Sequence, residues 1–212
     1  MKDTVVVFTR APRLGAVKRR LARDIGDRAA LRFHVATMTR LVRALAADRR
    51  FRTVVAVTPD RARLSLPVKQ IPQGCGDLGM RMHRAFGRYR CGRVAIIGCD
   101  IPEAGPRDLL AAFRALGSAD AVFGPATDGG YWLVAMAPRR PARPFTRVRW
   151  STRHALADTV SNFMGRRIVR LRVLSDVDTV DDWRKHRSGL DGTSPRRHVA
   201  GPSGGQSAVQ GG

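Results

Sequence analysis

Acidic side chains are scarce in this 212-residue chain: 17 Asp and Glu stand against 39 Lys and Arg, a formal net charge of +22. An excess of that size favours partners that carry phosphate, whether nucleotide, nucleic acid or acidic lipid. Aromatics are also few, at 6% of residues, too thin a supply for a series of base-stacking platforms. The basic residues are overwhelmingly arginine and are spread along the whole chain, and no RNA- or DNA-binding motif accompanies them. A non-catalytic nucleic-acid-binding protein is therefore a distant alternative. The three cysteines, Cys75, Cys91 and Cys99, are odd in number and form no CxxC pair, which argues against a disulfide framework or a zinc site and for a reducing compartment. His34, His83, His154, His186 and His198 have no mutual metal-binding spacing. No apolar run approaches membrane-spanning length, and residues 5–8 are too short for the core of a signal peptide, so the expectation is a soluble cytoplasmic protein. GxGxxG, the Walker loop and GxSxG are all missing.

What is present reads as one α/β domain over residues 1–186, followed by a Gly-, Ser- and Pro-rich disordered tail over 187–212. Short buried apolar runs alternate with helical patterns, as in a layered α/β domain. Strands are expected at 4–8, 54–57, 94–97, 121–123, 131–136 and 168–171. A long helix is expected between Asp27 and Arg49, with Leu31, Val35, Met38, Val42 and Leu45 on its buried face. Further helices are expected over 78–86, over 106–116 behind Pro106, and from a Ser151 cap to about Phe163.

Five segments carry chemistry. Gly98-Cys99-Asp100-Ile101-Pro102 brings a carboxylate to the end of an apolar strand, the position where open α/β sheets bind ligands. Residues 10–21 form a loop through Ala11, Pro12 and Gly15 that enters a basic helix start, where Lys18 or Arg20 can neutralise a diphosphate; a solvated basic turn is the plainer alternative. Gln73, Gly74 and Asp77 lie in a second glycine-rich loop, with Gln73 able to offer donor and acceptor to a base edge and Asp77 either facing a ligand or capping the next helix. Asp128, followed by Gly129, Gly130 and Tyr131, is a candidate sugar or acceptor ligand and general base, or else a turn-forming Asp. In the acidic run 176–182, Thr179 and Asp182 fit the cap and third position of a helix, which leaves Asp176 and Asp178 to point into a site. Asp100 and Asp178 are a candidate pair for Mg²⁺ or Mn²⁺, which often needs one or two carboxylates beside phosphate and water.

Taken in order, these segments, with Gly124-Pro125-Ala126-Thr127 ahead of Asp128 and with Trp150-Ser151-Thr152, resemble a bacterial family of GT-A-fold glycosyltransferases. It is the family described as radical-SAM/selenodomain-associated transferase type 1, or as arsenosugar-biosynthesis glycosyltransferases. The resemblance covers about residues 4–186. It implies a single Rossmann-like nucleotide-diphospho-sugar transferase domain, a mainly parallel mixed sheet with helices on both faces, similar to that of molybdenum-cofactor and phospholactate guanylyltransferases. It further implies phosphates near residues 11–20, a base near 73–79, Asp100 as metal-binding acid and Asp178 as the second acidic position, with Gly129, Gly130, Tyr131 and Trp150 as possible sugar or acceptor contacts. Two departures stand out: Lys18-Arg19-Arg20 replaces the family's usual Lys-Thr-Arg, and Gly98-Cys99-Asp100 its Gly-Ser-Asp. The expected activity is metal-dependent transfer of a sugar from a nucleoside-diphosphate sugar to a small acceptor. The alternative is nucleotidyl transfer from an NTP to a phosphorylated acceptor.

Overall fold

The computed structural model describes residues 2–191; the expected tail beyond Asp191 lies outside the described residues. Seven strands form one mixed sheet: β1 (Asp3–Arg10), β2 (Phe51–Thr58), β3 (Lys69–Pro72), β4 (Val94–Gly98), β5 (Ala121–Pro125), β6 (Tyr131–Met136) and β7 (Ile168–Arg170), in the order β3-β2-β1-β4-β6-β5-β7. The first four are mutually parallel, β6 runs antiparallel to both β4 and β5, and β7 is parallel to β5. Six helices complete the described chain: α1 (Arg19–Ile25), α2 (Asp27–Ala47), α3 (Leu78–Gly87), α4 (Pro106–Ala115), α5 (Ala155–Ser161) and α6 (Val180–Asp191).

The central strands are apolar on both sides because helices cover both sides. Along β1, Val5 and Val7 pack with Met38, Leu41 and Leu45 of α2 and Leu109 and Phe113 of α4. Val6 points the other way, toward Met82 and Phe86 of α3 and Phe163 beyond α5. That period-two division repeats in β2 and β4, so a continuous Val/Ile run, with no polar alternation, marks a buried parallel strand. The chain lays β2 and β3 on one side of β1 and then crosses to β4 on the other. The order thus reverses between β1 and β4, and a crevice opens beyond their carboxyl ends.

Four elements differ from expectation. On α2, Met38, Val42 and Leu45 are buried, but Val35 is exposed and Leu31 only half-buried; His34, Thr37 and Leu41 face inward instead. Polar residues at core-facing positions shift the apparent apolar stripe to one side of the true one. Strand β3 was not expected, since Ile71 is its one buried side chain and Pro72 lacks a donor, both suited to a sheet edge. Ser151 does not cap a helix: it sits at φ 60° in a turn, and α5 begins at Ala155 and ends at Ser161. Helix α6 continues to Asp191, past the position where composition alone starts the tail. The Thr179 and Asp182 cap is present, with Asp182 Oδ2 accepting from the Thr179 amide at 2.9 Å and Thr179 Oγ1 from the Asp182 amide at 3.3 Å.

Strands β5 and β6 form a hairpin whose turn is closed by the Ala126 amide donating to Gly130 O (3.0 Å) and the Gly129 amide to Ala126 O (3.2 Å). No helix among the described residues is long and apolar enough to cross a membrane. The revised α2 face makes a direct prediction: Met38→Ala should lower unfolding free energy by about 2–5 kcal/mol, whereas Val35→Ala should change it by less than about 0.5 kcal/mol, measured by urea denaturation.

Candidate active site

The loop after β1 ends at Lys18, the N-cap of α1, which holds φ 48° and ψ 45° and makes no side-chain capping bond. A left-handed backbone at a residue with a Cβ costs roughly 1–2 kcal/mol, so the surrounding structure must hold it. What holds it is ionic. The Lys18 side chain is 5% exposed, and its Nζ donates to Asp178 Oδ1 at 2.7 Å and to Asp100 Oδ2 at 3.1 Å. Burial works against the charged ammonium, but the two carboxylates outweigh it and hold the pKa above its ordinary value. The ammonium is a compact point charge with three rotatable donors, and here it meets both carboxylates at once.

Asp100 follows β4, and Asp176 and Asp178 lie between β7 and α6. Oxygens of the three carboxylates lie within 4.8 Å of one another. Val177, 3% exposed, anchors this segment against Leu21 and Ala30, and its amide donates to Asp100 O at 3.3 Å. Burial, then the neighbouring Asp178, Asp100 and Asp128 carboxylates, push the Asp176 carboxyl up to about 6. Three converging hard oxygen donors suit Mg²⁺ or Mn²⁺, with phosphate and water completing the shell. The donor set fits such an ion.

Two clefts meet at Asp100, and both are also bordered by Gly98 and Leu78. The first, about 450 Å³, is walled by Arg10, Lys18, Arg19, Arg20 and Arg81, with His34 and Gln73 also lining it. The second, about 340 Å³, is lined by Asp128, Gly130, Tyr131, Trp150 and Asp176. One cleft is cationic and the other carboxylate- and aromatic-lined, and the acidic group stands between them.

Of the residues expected around a nucleotide, Lys18, Arg20 and Gln73 reach the first cleft, and Ala11, Pro12, Gly15, Gly74 and Asp77 are not among its walls. Ala11 is buried and its amide donates to Thr58 O (2.8 Å), continuing the β1–β2 pairing. The Gly74 amide donates to Asp60 Oδ1 at 2.9 Å. Asp77 caps α3 by accepting from the Met80 amide at 2.7 Å. Gln73 differs in detail from expectation: its Nε2 donates to Thr9 O and Ala56 O, each at 2.9 Å, so both donor hydrogens are committed to backbone and the carbonyl oxygen is what remains for a ligand.

In the second cleft, Asp128 spends Oδ1 on the Gly130 amide at 2.8 Å, an Asx turn, and still lines the space. Gly129 is a backbone requirement instead: its φ is 84° and a Cβ there would come within 2.3 Å of Arg153 O. Burial pushes the Tyr131 phenol pKa well up, so the ring is a neutral wall, standing edge-on to Trp150 at 6.4 Å between centroids. Arg10, Arg19, Arg81 and His34 were missed as cleft residues. Arg10 and Arg19 lay inside the loop already singled out. Arg81, in the first turn of α3, and His34, whose Nε2 meets Arg10 O at 3.2 Å, carry no local pattern to distinguish them from other Arg and His.

Residues 32–152 match the model of a bacterial family described as uncharacterized protein conserved in bacteria (DUF2064). The chain belongs to this family. No curated protein matches its sequence. The fold of this DUF2064 protein is similar to that of a protein from Desulfovibrio desulfuricans G20 provisionally named a nucleotide-diphospho-sugar transferase, at 25% identity and TM-score 0.82, covering 94% of this chain and 92% of that one. A cytidylyltransferase from Leptospira borgpetersenii serovar Hardjo-bovis shares the fold at 12% identity and TM-score 0.60, with 92% and 88% covered. So does Rv0371c of Mycobacterium tuberculosis H37Rv in complex with manganese, at 16% identity and TM-score 0.52, with 87% and 97% covered.

The capping geometry at Asp77 gives a test. Asp77→Ala should cost about 1 kcal/mol of stability in urea unfolding and leave nucleotide affinity, measured by calorimetry, unchanged.

Proposed function

We propose that this protein is a metal-dependent glycosyltransferase that moves a sugar from a nucleoside-diphosphate sugar to a small hydroxylic acceptor in the cytoplasm. The observation that carries the proposal is the meeting of a cationic cleft and a carboxylate-lined cleft at one group of three aspartates. The likeness to the Desulfovibrio protein supports it, as does the ordered motif resemblance to the radical-SAM/selenodomain-associated transferases. The diphosphate lies in the first cleft, where Arg10, Arg19, Arg20 and Arg81 balance the charge that builds on the departing nucleotide. Gln73 Oε1 is the acceptor available to a base edge. Asp100, Asp176 and Asp178 would hold Mg²⁺ or Mn²⁺, which supplies Lewis-acid stabilisation of the leaving diphosphate.

The sugar and the acceptor occupy the second cleft, against the wall that Tyr131 and Trp150 form together. The acceptor oxygen attacks the anomeric carbon, the bond from that carbon to the β-phosphate oxygen breaks, and the acceptor proton passes to Asp128. Gly130 orients that carboxylate through its amide.

A second reading, nucleotidyl transfer from an NTP with release of pyrophosphate, is favoured by one feature: five cationic side chains in the first cleft are enough to meet a triphosphate. Thermal unfolding against NTPs, NDPs and nucleotide sugars, each with and without Mn²⁺, separates the two. Metal-dependent stabilisation by one nucleotide sugar and its NDP is the expected result, and preference for an NTP would establish the second reading. Asp100→Asn should abolish the metal-dependent part of the shift. With the natural substrate pair, Asp128→Asn should lower kcat by about 10²–10⁴ with little change in donor affinity; unchanged turnover would remove the base assignment.

A further inference from the structure

The Lys18 ammonium occupies a place that the charge of its neighbours makes contested. Asp100, Asp176 and Asp178 bring three carboxylates within 4.8 Å, and Lys18 Nζ is bonded to two of them. A bare divalent ion arriving at this group must share Asp100 and Asp178 with that ammonium or displace it. Lys18 is also a wall of the cationic cleft, so its four-carbon stem lets the same nitrogen face either the aspartates or a phosphate in the cleft. Its backbone, left-handed at φ 48° with no capping bond, is the strained member of its loop. The loop backbone is held at its ends, with the Ala11 amide donating to Thr58 O and the Ala22 amide to Lys18 O, each at 2.8 Å, so what can change partner is the Lys18 side chain.

We propose that Lys18 is a built-in counter-ion that holds the three-aspartate group closed until nucleotide phosphate draws its ammonium away, so that the divalent metal enters together with the nucleotide. This makes Lys18 a positioning residue with two successive partners, and it rests on the reading that the aspartate group takes a metal. Before the nucleotide arrives, the ammonium relieves carboxylate repulsion. Afterwards it meets phosphate charge, and Asp178, its shorter contact, is released to the metal.

The test titrates Mn²⁺ into the full-length protein and into Lys18→Met, following free Mn²⁺ by electron paramagnetic resonance, without nucleotide and with a saturating NDP. Wild type should bind bare Mn²⁺ at least tenfold more weakly than it does with NDP present, and Lys18→Met should bind bare Mn²⁺ at least tenfold more tightly than wild type. Equal or weaker binding of bare Mn²⁺ by Lys18→Met overturns this inference alone. Absence of Mn²⁺ binding by both proteins, with and without NDP, overturns the metal reading and the inference with it. Thermal unfolding covers a variant that folds poorly. The melting temperature lost in Lys18→Met should be restored by Mn²⁺, or without metal by Lys18→Met/Asp178→Asn, which removes one of the repelling charges. A loss that neither restores makes Lys18 a packing residue and ends the proposal.

Discussion

One lysine ties the site together. Its two ion pairs span 82 and 160 positions of sequence, joining the loop after β1 to the end of β4 and to the segment before α6. The lysine is nearly buried and its aspartates are 38% and 42% exposed, so the charge that water cannot reach is the ammonium. Removing either carboxylate leaves that charge less compensated in a low-dielectric setting. The segment so fastened also donates from Val177 to Asp100 O, and its Leu174 O accepts from the Thr127 amide at 3.2 Å. Both clefts therefore take their shape from where this late stretch of chain lies.

Beyond those that cap helices and turns, the sparse acids serve chiefly as partners of arginine or as members of the site. Several neutralise single arginines at the periphery: Asp3 with Arg93, Asp108 with Arg172 and Asp158 with Arg149, all at 2.7–2.8 Å. Asp100, Asp176 and Asp178 are gathered at the mouth of the sheet. In a chain of net charge +22, that gathering puts three carboxylates within reach of one cation, and it borders a wall of arginines suited to an anion. A nucleotide with its metal has both signs.

Much of this was legible in the sequence for a simple reason: buried parallel strands write themselves as unbroken apolar runs, and both Val5-Val6-Val7 and Val94-Ala95-Ile96-Ile97 did so. The strand-end carboxylate Asp100 followed from that register. What could not be read has physical causes of its own. Lys18 was expected against phosphate, because nothing local to residues 10–21 announces two carboxylates that fold onto it from far along the chain. Gln73 offered its full amide on paper, and tertiary packing committed its donors to Thr9 and Ala56. Ser151 has the chemistry of a cap, yet the turn around Trp150 sends the helix start on to Ala155. Edge strand β3 has one buried side chain and so left no pattern.

The two clefts are built on different kinds of support. The cationic one is walled largely by the loop that leaves β1 and enters α1, with side chains from α2 and α3 closing it. The other rests on the β5–β6 hairpin turn, pinned on both sides by sheet pairing, with Asp128 and Gly130 inside it and Gly129 pressed against Arg153. On the hairpin side the chemistry of the cleft can therefore be altered by exchanging side chains at backbone positions that stay fixed.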